Sequence, residues 1–577
     1  MKNGNTPEFP RHYVATDADF GRWETAEPYF KELSERQIVT PQQLEQWLVD
    51  FSELEACFDE EGTRREVAMT CQTDDAERMQ RYLDFVENVR PKAEPWHQKL
   101  RRKFVAHTSM LTLPRRRFEV MERSARNSIE IYRDENIPLL VEDTKLRTEY
   151  QQITGAMTCE YDGREQTLQQ LARYQEEPDR KVREQTWRLA ADRYVQDASQ
   201  LDELYVKMVA LRHKVALNAG LADFRAYAFK AMERFDYTPE HCLAFHDAIE
   251  RVVVPAAKEL AERRKRKLGL DSLRPWDMAV DPENRPPLRP FQTPEELIAG
   301  CSRIFQRVEP DLGRVFDTLR DRESLDLASR KGKAPGGYQA TFAERRLPFI
   351  FMNAVGTETD VRTLLHEGGH AFHTWACRNE PFIVYRGAPL EFGEVASMGM
   401  ELLALPFTSE FFGDETGRAT RRCFERIIAF LPYMASIDAF QHYVYTHVDA
   451  GIEDWKGYWE SLTRRFASEV DWSELEAYDR RSWQRKLHVY QAPFYYIEYG
   501  IAQLGALQVW RNAQRDAAHA VAMYRNGLAL GGSRPLPELF AAAGLKFDFS
   551  ESTLRPLAGA VMEQIDSLGG QGDNVIR

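Results

Sequence analysis

The residues most suited to chemistry are two histidines and a glutamate in the segment His366-Glu367-Gly368-Gly369-His370. Side chains four residues apart lie on the same face of a helix, so His366 and His370 can bind one tetrahedral metal ion together. The carboxylate of Glu367 can reach a metal-bound water without binding the metal itself. The pattern therefore predicts metal-assisted hydrolysis, with the two histidines as ligands and Glu367 as the general base.

A third protein ligand is needed, because a catalytic zinc site keeps its fourth position for water. A related form of the motif has a glutamate about twenty residues beyond the second histidine, but that position here is Leu390. The next acidic residues are Glu391 and Glu394, and Glu401 lies near the same face of the helix that we predict for this segment. Spacing alone leaves Glu391 and Glu394 as alternatives.

Three other residues of the motif segment have more than one interpretation. His373 could donate a hydrogen bond near the metal, but we favour an ordinary core residue. Gly368 and Gly369 would each cost a helix about 1 kcal/mol relative to alanine. They indicate either close packing of a neighbouring helix or the approach of a ligand to the helix backbone, and the sequence favours neither.

The motif must be held by a helix, which we predict from Val361 to Cys377 because Thr357 and Asp360 form a typical start signal. Apolar residues with three- and four-residue spacing predict that most of the chain is helical. Leu201–Leu217 and Cys242–Leu268 are clear examples. The predicted fold class is therefore mostly α.

Two regions interrupt the helical pattern. Prolines exclude a regular helix from Asp281 to Pro290, and Thr293 then begins the next helix. Two strands are predicted, at Tyr338–Phe342 and Pro348–Met352, directly before the motif helix. We expect a small sheet at this place and at no other.

Composition limits the class of protein. The chain has 577 residues, of which 43% are hydrophobic and 29% are charged, as is typical of a globular protein. Its net charge of −13 argues against nucleic acid as a partner, because a phosphate-binding protein needs a dominant basic surface. The basic run Arg263–Lys267 is interpreted as a solvated helix face.

Cysteine usage and hydropathy indicate the compartment. Seven scattered cysteines without a CxxC pair predict neither a disulfide framework nor a cysteine-type zinc site, and they fit a reducing compartment. The N-terminal residues lack the apolar core of a signal peptide. The longest apolar run, Ile427–Ala435, is far shorter than the roughly 20 residues that span a bilayer. We expect a cytoplasmic protein without a membrane partner.

Several segments resemble a known family of zinc metallopeptidases. The motif continues as HEGGHAFH and is followed by YRGAPLEFGEVAS, and together these are similar to the thimet oligopeptidase and oligoendopeptidase F family. The segments Arg234–Glu250 and Trp483–Trp510 resemble the oligoendopeptidase F branch. The resemblance extends from about residue 153 to residue 510, and the first hundred residues contribute little to it.

The resemblance implies roles for particular residues. The glutamate that opens EVAS, here Glu394, would be the third ligand of one Zn²⁺ ion. His488, Tyr496 and Tyr499 would contact the substrate as part of the catalytic machinery. The spacing after His488 is one residue shorter than in the mammalian-type members, which leaves a choice between Tyr495 and Tyr496.

The resemblance also implies a two-lobed helical fold of the zincin type. A deep central channel would contain the active site, with the small β-sheet beside the motif helix. The implied activity is that of a zinc metalloendopeptidase that hydrolyses internal bonds of short unstructured peptides, with Glu367 activating a zinc-bound water. We expect an N-terminal helical region (1–150), a channel-wall lobe (151–330), a catalytic region (331–568) and a flexible tail (569–577).

Other functions are compatible with parts of the pattern. A related helical zinc peptidase could instead release dipeptides or single residues from the C-terminus. A peptide-binding scaffold without catalysis is disfavoured, because both histidines, Glu367 and a third carboxylate are all present. A structural zinc site is also disfavoured, because such sites usually use four protein ligands.

Overall fold

The computed structural model describes residues 8–111, 113–467 and 469–569. The described residues are mostly helical, which confirms the predicted fold class. The first six helices are α1 (Trp23–Glu35), α2 (Pro41–Cys71), α3 (Ala76–Asp84), α4 (Arg90–Met110), α5 (Arg115–Ile131) and α6 (Asn136–Gly155).

The middle of the chain combines helices with two short strands. The strands are β1 (Thr158–Tyr161) and β2 (Arg164–Thr167). The helices are α7 (Leu168–Ala172), α8 (Arg180–Gln196), α9 (Ala198–Asn218), α10 (Phe224–Ala231), α11 (Pro239–Leu268), α12 (Pro294–Val308) and α13 (Pro310–Asp321). The predicted break at Asp281–Pro290 and the helix start at Thr293 are both confirmed.

The rest of the chain supplies three more strands and the remaining helices. The strands are β3 (Leu325–Ala328), β4 (Tyr338–Phe342) and β5 (Leu347–Ala354). The helices are α14 (Glu358–Ala376), α15 (Leu390–Ala404), α16 (Ser409–Phe412), α17 (Thr416–Thr446), α18 (Ile452–Phe466), α19 (Glu476–Asp479), α20 (Leu487–Gln491), α21 (Tyr496–Arg515), α22 (Ala517–Ala529), α23 (Leu536–Ala542) and α24 (Glu551–Gly569).

Two large hydrophobic cores organise these helices. The smaller core is formed mainly by α1, α2, α4 and α5, with Phe382 and Tyr385 from the connection between α14 and α15. The larger core contains buried residues from α6 to α24, and α14, α15, α17 and α21 all contribute to it. The boundaries at residues 150 and 330 stay predictions. Gly569 ends α24, and the rest of the predicted tail lies outside the described residues.

The motif helix α14 begins at Glu358, three residues before the predicted Val361 and directly after Thr357 of the predicted start signal. Asp360 accepts hydrogen bonds from the backbone N–H of Thr357, at 2.8 Å, and from its hydroxyl, at 3.0 Å. These bonds satisfy groups that a helix start otherwise leaves unpaired. Helix α14 then buries its apolar residues between the sheet and α15.

The two mid-helix glycines are explained by close packing. A Cβ atom at Gly369 would lie 2.5 Å from the carbonyl oxygen of Ala396 and from the Cα of Ser397 in α15. A Cβ atom at Gly368 would lie 2.5 Å from the ring of Phe305 in α12. Because only glycine allows this approach, α14 and α15 come close enough for their side chains to meet.

The sheet beside α14 has the strand order β3-β5-β4. The central strand β5 pairs antiparallel with β4 and parallel with β3. The predicted strands Tyr338–Phe342 and Pro348–Met352 therefore form this sheet, with β4 at its edge. The structure adds β3, which the sequence pattern did not reveal.

The expectation of a single sheet was wrong. Strands β1 and β2 form an antiparallel hairpin elsewhere in the chain. Its turn residues Asp162 and Gly163 have φ angles of 56° and 71°, as a two-residue hairpin turn requires. The strands are mostly polar, and their two buried residues, Gln166 and Thr167, are adjacent, so they lack the apolar alternation that marks a half-buried strand, and the Asp-Gly pair was the available signal.

None of the helices among the described residues has the length and apolar character of a bilayer-spanning segment.

Candidate active site

Helices α14 and α15 bring three predicted ligands together. The Nε2 atoms of His366 and His370 lie 3.3 and 3.5 Å from Oε2 of Glu394. Tetrahedral ligands at about 2.0–2.1 Å from a zinc ion would be separated by about 3.3 Å. Both distances fit this value, and all three ligand atoms lie within 4.8 Å of one another, so they are close enough to share one ion. The donor set of two imidazoles and a carboxylate therefore fits a metal ion of the zinc type.

The candidate ligands are held in place by their neighbours. Oε1 of Glu401 lies 2.6 Å from Nδ1 of His366, which leaves Nε2 free to face Glu394. The hydroxyl of Ser397 donates to Oε2 of Glu394 at 2.9 Å, and the hydroxyl of Tyr495 donates to Oε1 at 2.5 Å. Such partners orient metal ligands and increase their affinity for the ion.

The role of Glu401 was not recognised from the sequence. The residue lies two helical turns beyond Glu394, on the same face of α15, and this spacing was the available signal. Its second carboxylate oxygen accepts a hydrogen bond from Arg362 at 3.2 Å. Glu401 thus connects α15 to α14 while it orients His366.

Glu391 has different partners from Glu394. It accepts a hydrogen bond from the hydroxyl of Tyr237 and lies 4.0 Å from Nε of Arg234. It does not belong to the group of ligand atoms formed by His366, His370 and Glu394. Among the described residues, Glu394 is therefore the carboxylate that faces the histidine pair.

The charges around His366 connect metal binding to protonation. Burial favours the neutral ring, but the carboxylates of Glu394 and Glu401 outweigh burial and raise the pKa of His366 to about 10. A metal ion binds the neutral imidazole, so it must displace a proton from this group.

Glu367 is buried beside the ligands but belongs to no ion pair in the described structure. Only 5% of its surface is exposed, and burial raises the pKa of its carboxyl group above the ordinary value. A raised pKa makes a carboxylate a better acceptor for a proton at neutral pH. The position of Glu367 therefore suits a general base that does not bind the metal.

The other predicted catalytic residues form an aromatic cluster opposite α14. Nε2 of His488 lies 3.2 Å from the hydroxyl of Tyr499, and the rings of His488 and Tyr496 are 5.1 Å apart. Burial and the nearby Lys486 lower the pKa of His488 to about 3, so its ring is neutral. Burial and the charge of Glu394 raise the pKa of Tyr499 well above 10, so its hydroxyl keeps a proton to donate.

The two neighbouring tyrosines have different surroundings. Tyr495 contacts Glu394, and its side chain lines the same cavity as both histidine ligands. Tyr496 lines a second cavity with His488 and packs against Phe430, at a ring separation of 5.9 Å. The sequence left Tyr495 and Tyr496 as alternatives. In the structure Tyr495 lies beside the predicted metal ligands, and Tyr496 lies along the wall of the second cavity.

Buried polar contacts hold this cluster against the rest of the protein. Arg234 forms an ion pair with Glu498 at 2.8 Å and also donates to the backbone oxygen of Phe494. Arg212 donates to the backbone oxygen of Tyr490 at 2.5 Å. These contacts fix the segment between α20 and α21, and with it the direction of the tyrosine side chains.

Two cavities meet at Glu367. One has a volume of about 320 Å³ and reaches the edge strand β4. The other has a volume of about 530 Å³ and extends along α17. Gly337, His366, Glu367 and Tyr499 line both of them. The predicted catalytic residues Glu367 and Tyr499 therefore lie where a substrate could extend in two directions.

His373 is buried on the same helix as the ligands. Its Nε2 atom has no hydrogen-bond partner among the described residues, and burial lowers the pKa of its ring to about 4. The ring contributes to the wall of the 320 Å³ cavity. His373 is thus a neutral core histidine. Its Nε2 atom forms no hydrogen bond to any of the three predicted metal ligands.

A second group of possible ligand atoms lies elsewhere and is completely buried. It consists of Cys242, Asp438 and His442. Asp438 lies 2.9 Å from Nε2 of His246 and 3.2 Å from Nε2 of His442. Of these two contacts only the one with His246 has hydrogen-bond geometry, and neither ring nitrogen of His442 has a hydrogen-bond partner among the described residues.

Comparison with known proteins agrees with this helical fold. The profile of Peptidase family M3 matches residues 173–558, which is about two thirds of the chain. The chain therefore belongs to Peptidase family M3. The His-Glu-x-x-His helix α14 lies within the matched region.

Individual relatives are distant in sequence. Oligopeptidase A of Escherichia coli (strain K12) is 27% identical in an alignment over 292 residues that covers 40% of this chain and 42% of that protein. The chain thus matches less than half the length of this relative. The oligoendopeptidase F homolog of Borreliella burgdorferi is 22% identical over 445 residues, covering 73% of this chain and 72% of that protein.

The fold is preserved more completely than the sequence. A solved structure of Pz peptidase A with an inhibitor superposes with a TM-score of 0.92 at 26% identity. The superposition covers 96% of this chain and 99% of that chain. The similarity therefore includes the N-terminal helices, where the sequence contributes little signal.

Proposed function

We propose that the protein is a zinc-dependent oligoendopeptidase that hydrolyses internal bonds of short, unstructured peptides. One observation carries the proposal: Glu394 lies at tetrahedral spacing from His366 and His370, while Glu367 remains unpaired beside them. Membership of Peptidase family M3 supports the same reaction class. His366, His370 and Glu394 would hold one Zn²⁺ ion.

Glu367 has the central role in the proposed reaction. When bound, Zn²⁺ would act as a Lewis acid and make a water molecule acidic, with a pKa near 7. Glu367 accepts the proton of the attacking water and then transfers it to the nitrogen of the leaving amine. Its burial supports this role, because exclusion of bulk water keeps the carboxylate free of competing partners.

Tyr499 and His488 would stabilise the negative charge that develops on the peptide carbonyl oxygen. Both side chains reach the cavity that contains Glu367, and both are neutral groups with an N–H or O–H to donate. Donors held in advance of the reaction stabilise this charge without reorganisation. Their mutual contact of 3.2 Å holds them ready while no substrate competes for the proton.

The edge strand β4 would bind the peptide backbone. Gln339 and Thr341 line the 320 Å³ cavity, and β4 pairs with β5 on one side only within the described part of the sheet. An extended peptide can add to such an edge through main-chain hydrogen bonds, which give affinity with little side-chain selectivity. The buried position of the site restricts access to chains that can extend into the cavities, so folded proteins are excluded.

The first test combines metal analysis with cleavage of a short quenched fluorescent peptide. We expect one zinc ion per chain, loss of activity with a chelator and recovery after zinc is restored. Mass spectrometry of the products should show cuts within the peptide. Release of dipeptides or single residues from the C-terminus alone would instead support the terminal-trimming activity, and a zinc-free active protein would contradict the proposed metal.

Tyr499→Phe should lower kcat by about 100-fold and change KM little, because the lost hydroxyl acts on charge that is present mainly in the transition state. Steady-state kinetics on the same peptide measure both constants. Tyr443→Phe is a matched control, since Tyr443 is on α17 and stacks on Tyr458 at 4.0 Å, away from both cavities. A raised KM with unchanged kcat would make Tyr499 a binding contact only.

A further inference from the structure

A third cavity, which we call the arginine cavity, adjoins the active site along α17. It has a volume of about 460 Å³ and lies between α8, α11 and α17. Arg426 and Ala429 line both this cavity and the 530 Å³ cavity that contains Glu367. A peptide that extends from the catalytic residues along α17 would therefore reach the arginine cavity.

The side chains that line the arginine cavity include twice as many basic as acidic residues, although Arg263, Lys267 and Arg421 each pair with a carboxylate. Its acidic residues are Glu176, Glu425 and Glu469. Its basic residues are Arg263, Arg264, Lys267, Arg421, Arg422 and Arg426. Because the whole chain has a net charge of −13, this positive region is a local feature and does not follow from composition.

The arginines of α17 are incompletely neutralised. Arg422 and Arg426 both pair with the same carboxylate, that of Glu358, and Arg422 lies 3.2 Å from it. Glu176 is likewise shared between Arg422 and Arg289, each at 2.8 Å. The Nε atom of Arg426 is buried and has no hydrogen-bond partner in the described part of the chain. The cavity wall therefore keeps unused hydrogen-bonding capacity for an anion.

Arg264 provides the clearest uncompensated charge. Its guanidinium donates to the backbone oxygens of Val280, at 2.6 Å, and Asp277, at 3.4 Å. No carboxylate of the described residues lies within salt-bridge distance of it, and burial lowers its pKa. A partly buried cation without a paired anion is costly unless a ligand supplies the negative charge. We interpreted the basic run around Arg264 as a solvated helix face, but the side chain of Arg264 lines the cavity instead.

Helix α17 indicates how far Arg426 and Arg422, which line the cavity together with Arg264, lie from the reaction. The ring of Phe430 is 6.3 Å from that of Tyr499, which places Phe430 beside the catalytic residues. With a rise of 1.5 Å per residue, Arg426 and Arg422 lie about 6 and 12 Å further along the helix. An extended peptide covers about 3.3–3.6 Å per residue, so 12 Å corresponds to about three or four residues.

We propose that the arginine cavity is an anionic subsite of the substrate channel, which binds a carboxylate of the peptide about three or four residues from the cleaved bond. The carboxylate is either an acidic side chain or the C-terminus, since a guanidinium binds both in the same way. This inference rests on the proposed peptidase function and adds a preference for acidic substrates to it.

The test uses quenched peptides that differ only in charge. A neutral peptide receives one glutamate at successive positions on either side of the cleaved bond, with glutamine at the same position as the reference. Each peptide is made as the C-terminal acid and as the amide, which separates the two sources of carboxylate. The compared proteins are the wild type, Arg264→Gln, Arg264→Lys and the control Arg266→Gln, whose side chain is exposed on the same helix.

For the wild type we expect kcat/KM to rise about tenfold when the carboxylate is at the matching distance, because a charge-assisted hydrogen bond is gained. Arg264→Gln should lose this preference while it cleaves the neutral peptide as fast as the wild type. Arg264→Lys should keep part of the preference, because it retains the charge but not the planar fork of donors. Arg266→Gln should behave as the wild type does.

Two results would overturn the proposal while the peptidase function stands. One is equal cleavage of the glutamate and glutamine peptides at every position, together with equal cleavage of acids and amides. The other is a slower reaction of Arg264→Gln with all peptides alike, at an unchanged melting temperature. If the wild type cleaves none of the peptides, the peptidase function itself fails, and the subsite fails with it.

Discussion

Glu367→Gln should reduce kcat on the order of 1,000-fold while the zinc content stays at one ion per chain. The amide has nearly the shape of the carboxylate but cannot accept the proton of the attacking water. The proposed ligand atoms belong to His366, His370 and Glu394, so the substitution should leave the proposed metal site intact. Single-turnover kinetics and metal analysis of the same preparation measure the two effects separately.

The melting temperature serves as the control for this variant, because a misfolded protein would also be inactive. Glu367 forms no ion pair in the described structure, so an uncharged side chain of equal size should be accommodated without a new unpaired charge. Retention of half the activity at full zinc content would refute the general-base assignment. Loss of zinc would show that Glu367 contributes to the metal site itself.

The features that the sequence predicts correctly depend on neighbours within the same helix. The start of α14 follows from contacts between Thr357 and Asp360, three residues apart. The common direction of His366 and His370 follows from helix geometry alone. Their distances from Glu394 were not predictable in this way, because they depend on how two helices pack.

The choice between Glu391 and Glu394 shows where local reasoning ends. Both residues lie in α15, one turn apart, and both are buried. The difference comes from Tyr237, which is 154 residues away along the chain and holds Glu391. The resemblance to a known family indicated Glu394, because proteins with the same helix packing share the motif in which this glutamate occurs. Without it, the sequence leaves the two carboxylates equivalent.

The close approach of α14 and α15 depends on Gly369, whose importance the sequence suggested without giving its cause. The backbone of Ala396 and Ser397 occupies the space where a side chain would be. This packing brings Glu394 and Glu401 to the two nitrogen atoms of His366. The candidate site is therefore a property of the helix pair, and the motif supplies only one side of it.

Glu394→Ala should lower zinc affinity by more than about 100-fold, because a direct ligand contributes more than the outer partners whose loss typically costs 10- to 100-fold. Activity should fall with zinc occupancy and recover partly at high zinc concentration. Zinc titration by competition with a chelating dye, followed by the peptide assay at each occupancy, measures both. His366 and His370 remain in the variant, so weak residual binding is expected.

Glu391→Ala is the matched control, since it removes an equally buried glutamate one turn earlier on the same helix. It should lower the melting temperature, because Arg234 loses a neighbouring negative charge and Tyr237 loses its acceptor. Its zinc affinity should equal that of the wild type. Wild-type zinc affinity in Glu394→Ala together with a loss in Glu391→Ala would transfer the third ligand to Glu391. Glu391, which lies in α15, already accepts a hydrogen bond from the hydroxyl of Tyr237. That result would therefore require α15 to rotate in solution.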